Sequence, residues 1–369
     1  MEGKIYIGLM TGTSADSLDC AAVKFSDNDL NIIGLKNYDI PGLVKTEIIE
    51  NTKSKKLNLA QLKDLDLRLG EFFSDKIEEF MESLCLKRES VEAIGSHGQT
   101  IKHEPNSIPP FSIQIGNPQI ISDRLGIKTI ANFRDDDIAK GGQGAPLSPI
   151  FHKEVFAKEN KKKVIINIGG ISNVSFLGGT KLIGFDTGPG NCLLDIWTKE
   201  NKKGSYDDKG YWAKSGTVDK DLLDIMMKDS YFSLEHPKST GPDYFSLFWL
   251  QNCLIKLNRE IDPGDIQATL TELTAKSLSN SLKKLRTVNE KRYFCGGGVH
   301  NNYLMSRISF LLGEKCYTTD KLGFDPDFLE AICFAWLAYK RVKNIKFDMS
   351  GVTGSKEKVF LGKVYVPTK

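Results

Sequence analysis

The chain has 369 residues, 50 Lys plus Arg against 47 Asp plus Glu, and 40% hydrophobic residues. That length exceeds one comfortable core and calls for two domains. A net charge of +3 is too balanced for a nucleic-acid partner, and no stretch reaches the roughly 18 apolar residues of a membrane helix.

The seven cysteines are scattered without a C-x-x-C pair. They read as thiols of a reducing, cytoplasmic setting rather than zinc or redox ligands.

In chain order, Ile5 to Met10, Asp19 to Phe25 and Ile32 to Tyr38 read as three strands of a meander joined by polar turns. Leu57, Leu62, Leu65, Leu69, Phe72, Phe73, Ile77 and Phe80 then recur at helical spacing and predict an amphipathic helix over a sheet. Ala93 to Ser96 and Lys128 to Ala131 read as buried strands.

After the loop Gly141 to Pro146 the pattern restarts, with strands at Lys163 to Ile168, Asn173 to Leu177 and Lys181 to Phe185, then a helix after Gly190. Each half therefore opens with three strands. The stretch from Lys199 to Lys214 lacks periodicity and reads as a surface excursion that orders on binding.

Helices are expected at Pro242 to Leu257, Pro263 to Leu285, Asn302 to Leu312 and Pro326 to Val342, the last with Asp325 as its N-cap. A strand-like tail runs from Val359 to Val366. The expected domains are residues 1–140 and 141–369, with the last helix and tail able to pack back on the first domain.

Three glycine-rich turns, each after a strand-like run, carry the candidate chemistry. Missing Cβ atoms let backbone amides converge on anionic oxygens, so the three together suggest a bound nucleotide. In the first, Gly12, Thr13, Ser14, Ala15, Asp16, Ser17, Leu18 and Asp19 offer hydroxyls and amides to phosphate. There Asp16 or Asp19 could hold Mg²⁺ directly or through water. The same residues also make an ordinary polar hairpin.

In the second turn, Asp186 stands at a strand end before Gly188, Pro189 and Gly190. It is a candidate general base, and the helix amides after Gly190 are a candidate anion site. A capping role for Asp186 is the plainer alternative. The third turn, Gly296, Gly297 and Gly298 ending at Asn301, offers bare backbone to an adenosine or its α-phosphate. It is no G-x-G-x-x-G fingerprint, and no G-x-x-x-x-G-K-[ST] loop occurs.

Taken with Ser96 to Thr100, Phe133-Arg134, Gly141 to Leu147, Asn167-Ile168-Gly169-Gly170-Ile171-Ser172-Asn173 and Asp325 to Ala331, these segments resemble the anhydro-N-acetylmuramic acid kinases over nearly the whole chain, in order. The resemblance implies an α/β fold of two ribonuclease H-like (actin-like ATPase) domains with a nucleotide cleft between them. ATP and Mg²⁺ serve the reaction, and a homodimer is implied. The implied reaction opens the 1,6-anhydro ring of 1,6-anhydro-N-acetylmuramic acid with water and phosphorylates O6.

By the same resemblance Asp186 is the base and a sugar contact. Gly12 to Asp19, Asn167, Gly169, Gly170, Gly188, Gly296 to Gly298 and Asn301 face ATP, while His97, Arg134 and Glu330 face the sugar. For His97 and Arg134 a structural histidine and a structural ion pair read about as well, and for Glu330 a first-turn acid favoured by the helix dipole remains the alternative. A non-catalytic nucleotide-binding module, or a kinase for another sugar or carboxylate, remains the rival. Ser17 stands where the family usually has glycine, so the local backbone there differs if a positive φ is needed, and Pro242 stands where arginine is common, which bears on contact details and not on the reaction class.

Overall fold

The computed structural model describes residues 3–26, 29–54, 56–157, 162–178, 182–285 and 290–368. It divides into two compact units, residues 1–151 with 328–369, and residues 152–327. The division therefore falls after Phe151 rather than at residue 140. The loop after residue 140 is tied into the first unit, where the amide of Gln143 donates to Thr353 O at 2.9 Å and that of Gly144 to Asp137 Oδ2 at 2.8 Å.

The first unit begins with β1 (Ile5–Thr11), β2 (Ser17–Phe25) and β3 (Leu30–Asp39), followed by α1 (Gly42–Lys53) and α2 (Leu59–Ser83). It continues with β4 (Val91–Ser96), the separate hairpin β5 (Gln99–Glu104) and β6 (Phe111–Ile115), α3 (Pro118–Leu125), β7 (Thr129–Ala131) and α4 (Asp135–Ala139). Its sheet runs β3-β2-β1-β4-β7. The first three strands are antiparallel neighbours, and β4 and β7 are added parallel.

One face of that sheet, with Ile7, Leu9, Leu18 and Cys20, is buried with Leu62, Leu65, Leu69 and Phe73 of α2. The helical spacing of those leucines thus does what it announces. Asn58 starts α2 by accepting from the amides of Ala60 and Gln61, so Leu57 precedes the helix. The helix α1 carries little amphipathic signal and is not evident in the sequence.

The helix α5 (Ser148–Phe156) leads into the second unit, built on β8 (Lys163–Ile168), β9 (Ile171–Phe176) and β10 (Ile183–Pro189). Lys181, the expected start of the third strand, lies outside the described residues. There follow α6 (Cys192–Glu200), α7 (Tyr211–Ser215), α8 (Lys220–Met227), α9 (Leu247–Leu257), α10 (Pro263–Lys284), β11 (Lys291–Cys295), α11 (Asn302–Leu312) and β12 (Tyr317–Thr318).

This second sheet runs β10-β9-β8-β11-β12, with antiparallel pairs among the first three strands and parallel pairs thereafter. It repeats the order and polarity of the first sheet. Val164, Ile166, Ile168 and Val174 are buried with Leu278 and Leu282 of α10 and Leu304 and Ile308 of α11.

Three expectations are corrected here. Residues 199–214 are ordered rather than loose, because the buried carboxylate of Asp207 accepts from the amides of Trp212 and Ala213 at 2.9 Å each and fixes α7. The helix expected from Pro242 starts at Leu247, where the Ser246 hydroxyl caps it. The helix expected from Pro326 starts at Leu329, since Asp325 accepts the amide of Asp327 and Gly296 donates to Pro326 O, which holds the intervening residues in a turn.

That final helix, α12 (Leu329–Val342), and β13 (Lys363–Tyr365) complete the first unit, β13 pairing antiparallel with β7. A Cβ on Gly8 would stand 1.9 Å from Ala331 O, so only glycine in β1 lets α12 lie this close to the sheet. Among the described residues all seven cysteines are free. Five are buried and Cys316 is partly so, while Cys85 is exposed in the turn closing α2 with φ of 52°.

Candidate active site

In the first unit, β1 and β2 are joined by the tip Gly12 to Asp16. The amide of Ala15 donates to Gly12 O at 3.1 Å, and Ala15 is fully buried with φ of 51°. The left-handed residue of this turn is therefore Ala15, while Ser17 lies in β2 opposite Asp39. Serine in place of the family's glycine needs no unusual backbone at residue 17.

Two side chains brace the tip from the adjoining strands. Gln99 Nε2 donates to Gly12 O at 3.2 Å, and Thr11 Oγ1 donates to Gly98 O at 3.0 Å. Asp16 is exposed and ion-paired with Lys45. Asp19 accepts from Ser17 Oγ at 3.0 Å. No cluster of three or more metal-type side chains exists among the described residues, and Mg²⁺ bound to a nucleotide does not require one.

His97 follows β4 and is 4% exposed. Its Nδ1 lies 2.7 Å from Gly98 O, which can only accept, so Nδ1 carries the hydrogen and Nε2 accepts from Arg134 Nη2 at 2.8 Å. Burial, and then the Arg134 charge, hold this imidazole well below its ordinary pKa, so it is neutral. Arg134 Nη1 also donates to Gly144 O at 2.8 Å.

Behind this pair lies Asp137, which sequence reasoning passed over inside the run Asp135-Asp136-Asp137. It is buried, accepts from Gly144 N at 2.8 Å and Thr353 Oγ1 at 2.7 Å, and has its pKa raised chiefly by burial. Through Gly144 it steadies the carbonyl that holds Arg134. Glu330 is half-buried in the first turn of α12.

In the second unit, Asp186 lies in β10 at a register shift between Asp186 and Gly188, opposite Asn173. It is 5% exposed. Thr240 N donates to its Oδ2 at 3.0 Å, Tyr231 OH donates to its backbone oxygen at 2.7 Å, and its own amide donates to Lys238 O at 3.1 Å. The segment 231–240 thus holds both the main chain and the carboxylate. Nothing in the sequence shows that the backbone of Lys238 to Thr240 meets Asp186.

Three of the amides expected to offer an anion site at the start of α6 are taken by the protein itself. The amides of Gly190, Asn191 and Cys192 donate to Gly170 O, Gly169 O and Gly170 O at 2.9, 2.9 and 3.0 Å, so the β8–β9 turn already occupies them. A Cβ on Gly190 would meet Gly169 O at 2.3 Å. Glycine there serves helix-to-turn packing rather than a phosphate.

Asn167 is buried at the end of β8. A Cβ on Gly296 would stand 2.2 Å from its Oδ1 and one on Gly298 would stand 2.3 Å from Ile168 Cγ2, whereas one on Gly297 would meet nothing within 4 Å. The third turn therefore packs two glycines against β8 and presents the middle one outward. Asn301 Oδ1 accepts from Leu304 N at 2.9 Å and caps α11, so that oxygen is committed to the helix. The structure brings Asn167 together with Gly296, Gly169 and Gly170 with Gly190, and His97 with Arg134.

Two units of this strand order, each with a hairpin ahead of a crossover, place the chain in the ribonuclease H-like, actin-like ATPase class of α/β proteins. The family model described as Anhydro-N-acetylmuramic acid kinase matches residues 4–367. Curated relatives of that description include one from Pasteurella multocida (strain Pm70), 43% identical over 99% of this chain and 97% of its own length. One from Coxiella burnetii (strain Dugway 5J108-111) is 42% identical over 98% and 97%, and one from Sulfurovum sp. (strain NBC37-1) is 42% identical over 99% and 100%. The chain belongs to the anhydro-N-acetylmuramic acid kinase family.

Proposed function

We propose that this protein is an ATP-dependent phosphotransferase with an alcohol group as acceptor, acting on 1,6-anhydro-N-acetylmuramic acid in cell-wall recycling. Water adds to the anomeric carbon as its bond to O6 breaks, and O6 takes the γ-phosphoryl group from ATP. The products are N-acetylmuramic acid 6-phosphate and ADP. The observation that carries the reading is the buried, backbone-fixed carboxylate of Asp186 in a chain that matches the family from end to end.

In this reading Asp186 accepts the proton of the attacking water. One carboxylate oxygen takes the Thr240 amide, which orients the group, and burial limits competing solvent. The first unit contributes the Arg134 guanidinium for the lactyl carboxylate, with His97 held neutral beside it as an acceptor that fixes the arginine, and Glu330 for the sugar. The hairpin from Gly12 to Asp19 receives the phosphates, and Asn167 with the Gly296 to Gly298 turn receives the nucleoside end.

Asp19 would hold Mg²⁺, which when bound neutralises charge on the transferring phosphoryl group. The amides after Gly190 are left out of this assignment. Gly169, Gly170 and Gly188 shape the turn and strand around Asp186. The cytoplasmic setting and homodimer that the resemblance implies belong to the same reading. No described helix is long and apolar enough to cross a membrane.

The test is Asp186→Asn assayed for anhydrosugar-dependent ADP release, with the product made in ¹⁸O-water. Loss of turnover by about 10³-fold with ATP binding retained is expected for removal of a general base, and wild-type product should carry label at the anomeric hydroxyl and phosphate on O6. Unchanged turnover in the variant, or ATP hydrolysis indifferent to the sugar, would reject the assignment.

A further inference from the structure

Asp186, Tyr231 and Lys238 form a closed ring of hydrogen bonds. Tyr231 OH donates to Asp186 O at 2.7 Å, Lys238 Nζ donates to Tyr231 O at 3.0 Å, and the Asp186 amide donates to Lys238 O at 3.1 Å. Each residue holds the next, and the ring closes on the main chain of Asp186. Two residues beyond Lys238, the Thr240 amide reaches the carboxylate itself at 3.0 Å.

The lysine is an unusual choice for a merely structural tie. It is 5% exposed, its ammonium stands 4.4 Å from the Tyr231 ring centroid, and a buried charge is kept only where it is paired or used. Burial, and then the neighbouring Lys284, lower its pKa to about 8, while the charges of Asp186 and Glu235 oppose that fall. The groups around it are therefore Lys284, Asp186, Glu235, the Tyr231 ring and His236, which lines the same pocket with Phe185 and Ser281.

We infer that Lys238 and Tyr231 are positioning residues that hold the Asp186 carboxylate in its working orientation, Lys238 by its charge on the Tyr231 carbonyl and Tyr231 by its hydroxyl on the Asp186 carbonyl. This rests on the reading of Asp186 as general base. The hydrogen bonds of both side chains end on main-chain carbonyls. If the ring is loosened, the carboxylate keeps its chemistry but loses its aim, so turnover falls while the binding of both substrates is kept.

The test compares Lys238→Met, Lys238→Arg and Tyr231→Phe in the full-length protein, reading kcat and KM for ATP and for the anhydrosugar together with the thermal midpoint. Lys238→Met should lower kcat roughly tenfold, about the effect of 1.4 kcal/mol on a barrier, with both KM values within about twofold of wild type. Lys238→Arg, whose longer cation has the adjoining pocket to enter, should recover most of that loss. Tyr231→Phe keeps the ring and removes one hydroxyl, so it should fold and lose kcat several-fold, and it decides the matter if Lys238→Met fails to fold.

Equal losses in the Met and Arg variants, losses confined to KM, or wild-type kcat in Tyr231→Phe would overturn the inference. Asp186→Asn separates the two levels. If that variant retains turnover, the general-base reading itself fails. If it is inactive while the Lys238 and Tyr231 variants turn over normally, only the positioning role fails.

Discussion

The β1–β2 and β8–β9 hairpins occupy the same topological place in two sheets that share a five-strand order, yet they are built differently. The first has five residues between its strands, with Thr13 exposed at the tip and Gly12 O held by Ala15 N and Gln99 Nε2. The second has only Gly169 and Gly170, and their carbonyls accept three amides from the start of α6. One hairpin is braced at its base and leaves its outer edge exposed. The other is turned inward to fix a helix beside the strand that carries Asp186. A shared fold thus determines where a turn falls, and local hydrogen bonding determines what it can bind.

The sharpest way to break this comparison is Gly190→Ala. Its Cβ would meet the Gly169 carbonyl oxygen at 2.3 Å, a methyl carbon against backbone, where no flexible side chain can yield. We expect a loss of about 3 kcal/mol, at the upper end of overpacking effects, measured as a lower denaturant midpoint of the second unit's transition. A variant as stable as wild type would show that the turn and the helix are not interlocked.

Acid should come next and should also strike behind the second hairpin. His152 is fully buried, bonded through Nδ1 to Ser175 Oγ of β9 at 2.8 Å, and burial lowers its pKa to about 3. The unfolded chain binds a proton on this residue below about pH 6.5 and the folded chain does not until about pH 3, so stability falls as pH drops through that window. The expected cost is about 1.4 kcal/mol per pH unit, or about 2 kcal/mol between pH 6.5 and 5. Chemical denaturation of wild type and His152→Gln at pH 7 and pH 5 checks it, since the variant should show the shallower decline.

Much of this architecture was legible in the residues. Leu62, Leu65 and Leu69 announce their helix because one face must be buried, and the opening strands of each half read as short runs bounded by turn residues. The Gly-rich turns marked where chain meets chain closely. What they could not reveal was the partner. Gly190 looks the same whether its amide meets a phosphate or Gly170 O, and that choice depends on a turn twenty residues away.

The same limit explains Asp137 and Tyr231. An acid inside a run of three acids, and a tyrosine in a loop, carry no local sign that one is sealed under Gly144 and the other ties Asp186. Pro326 misled for a related reason, since proline suits a first helical turn but its carbonyl here accepts from Gly296 and delays the helix to Leu329.

A smaller effect is expected from Gln99→Leu. The substitution removes the Nε2 donor from Gly12 O in a part-buried setting, and one such bond contributes about 1 kcal/mol to stability. The more telling readout is KM for ATP, which should rise with kcat nearly unchanged if the brace matters because it presents the tip. A stability loss with unchanged KM would make Gln99 a packing residue alone.

Gly12→Ala should cost least in stability and teach most about the tip. A Cβ at this position would find only Ser14 Oγ at 3.8 Å, and Gly12 is not among the glycines with positive φ, so alanine meets neither a clash nor a strained backbone. The expected change in unfolding free energy is within about 0.5 kcal/mol. Any larger consequence for catalysis must then come from something that is present only when substrate is bound. If phosphate oxygens stand against the bare Gly12 backbone, the added methyl group displaces them and KM for ATP rises several-fold in a protein as stable as wild type. If KM stays put as well, the edge of the first hairpin is as idle as an ordinary polar turn, and the contrast between the two hairpins is one of packing alone.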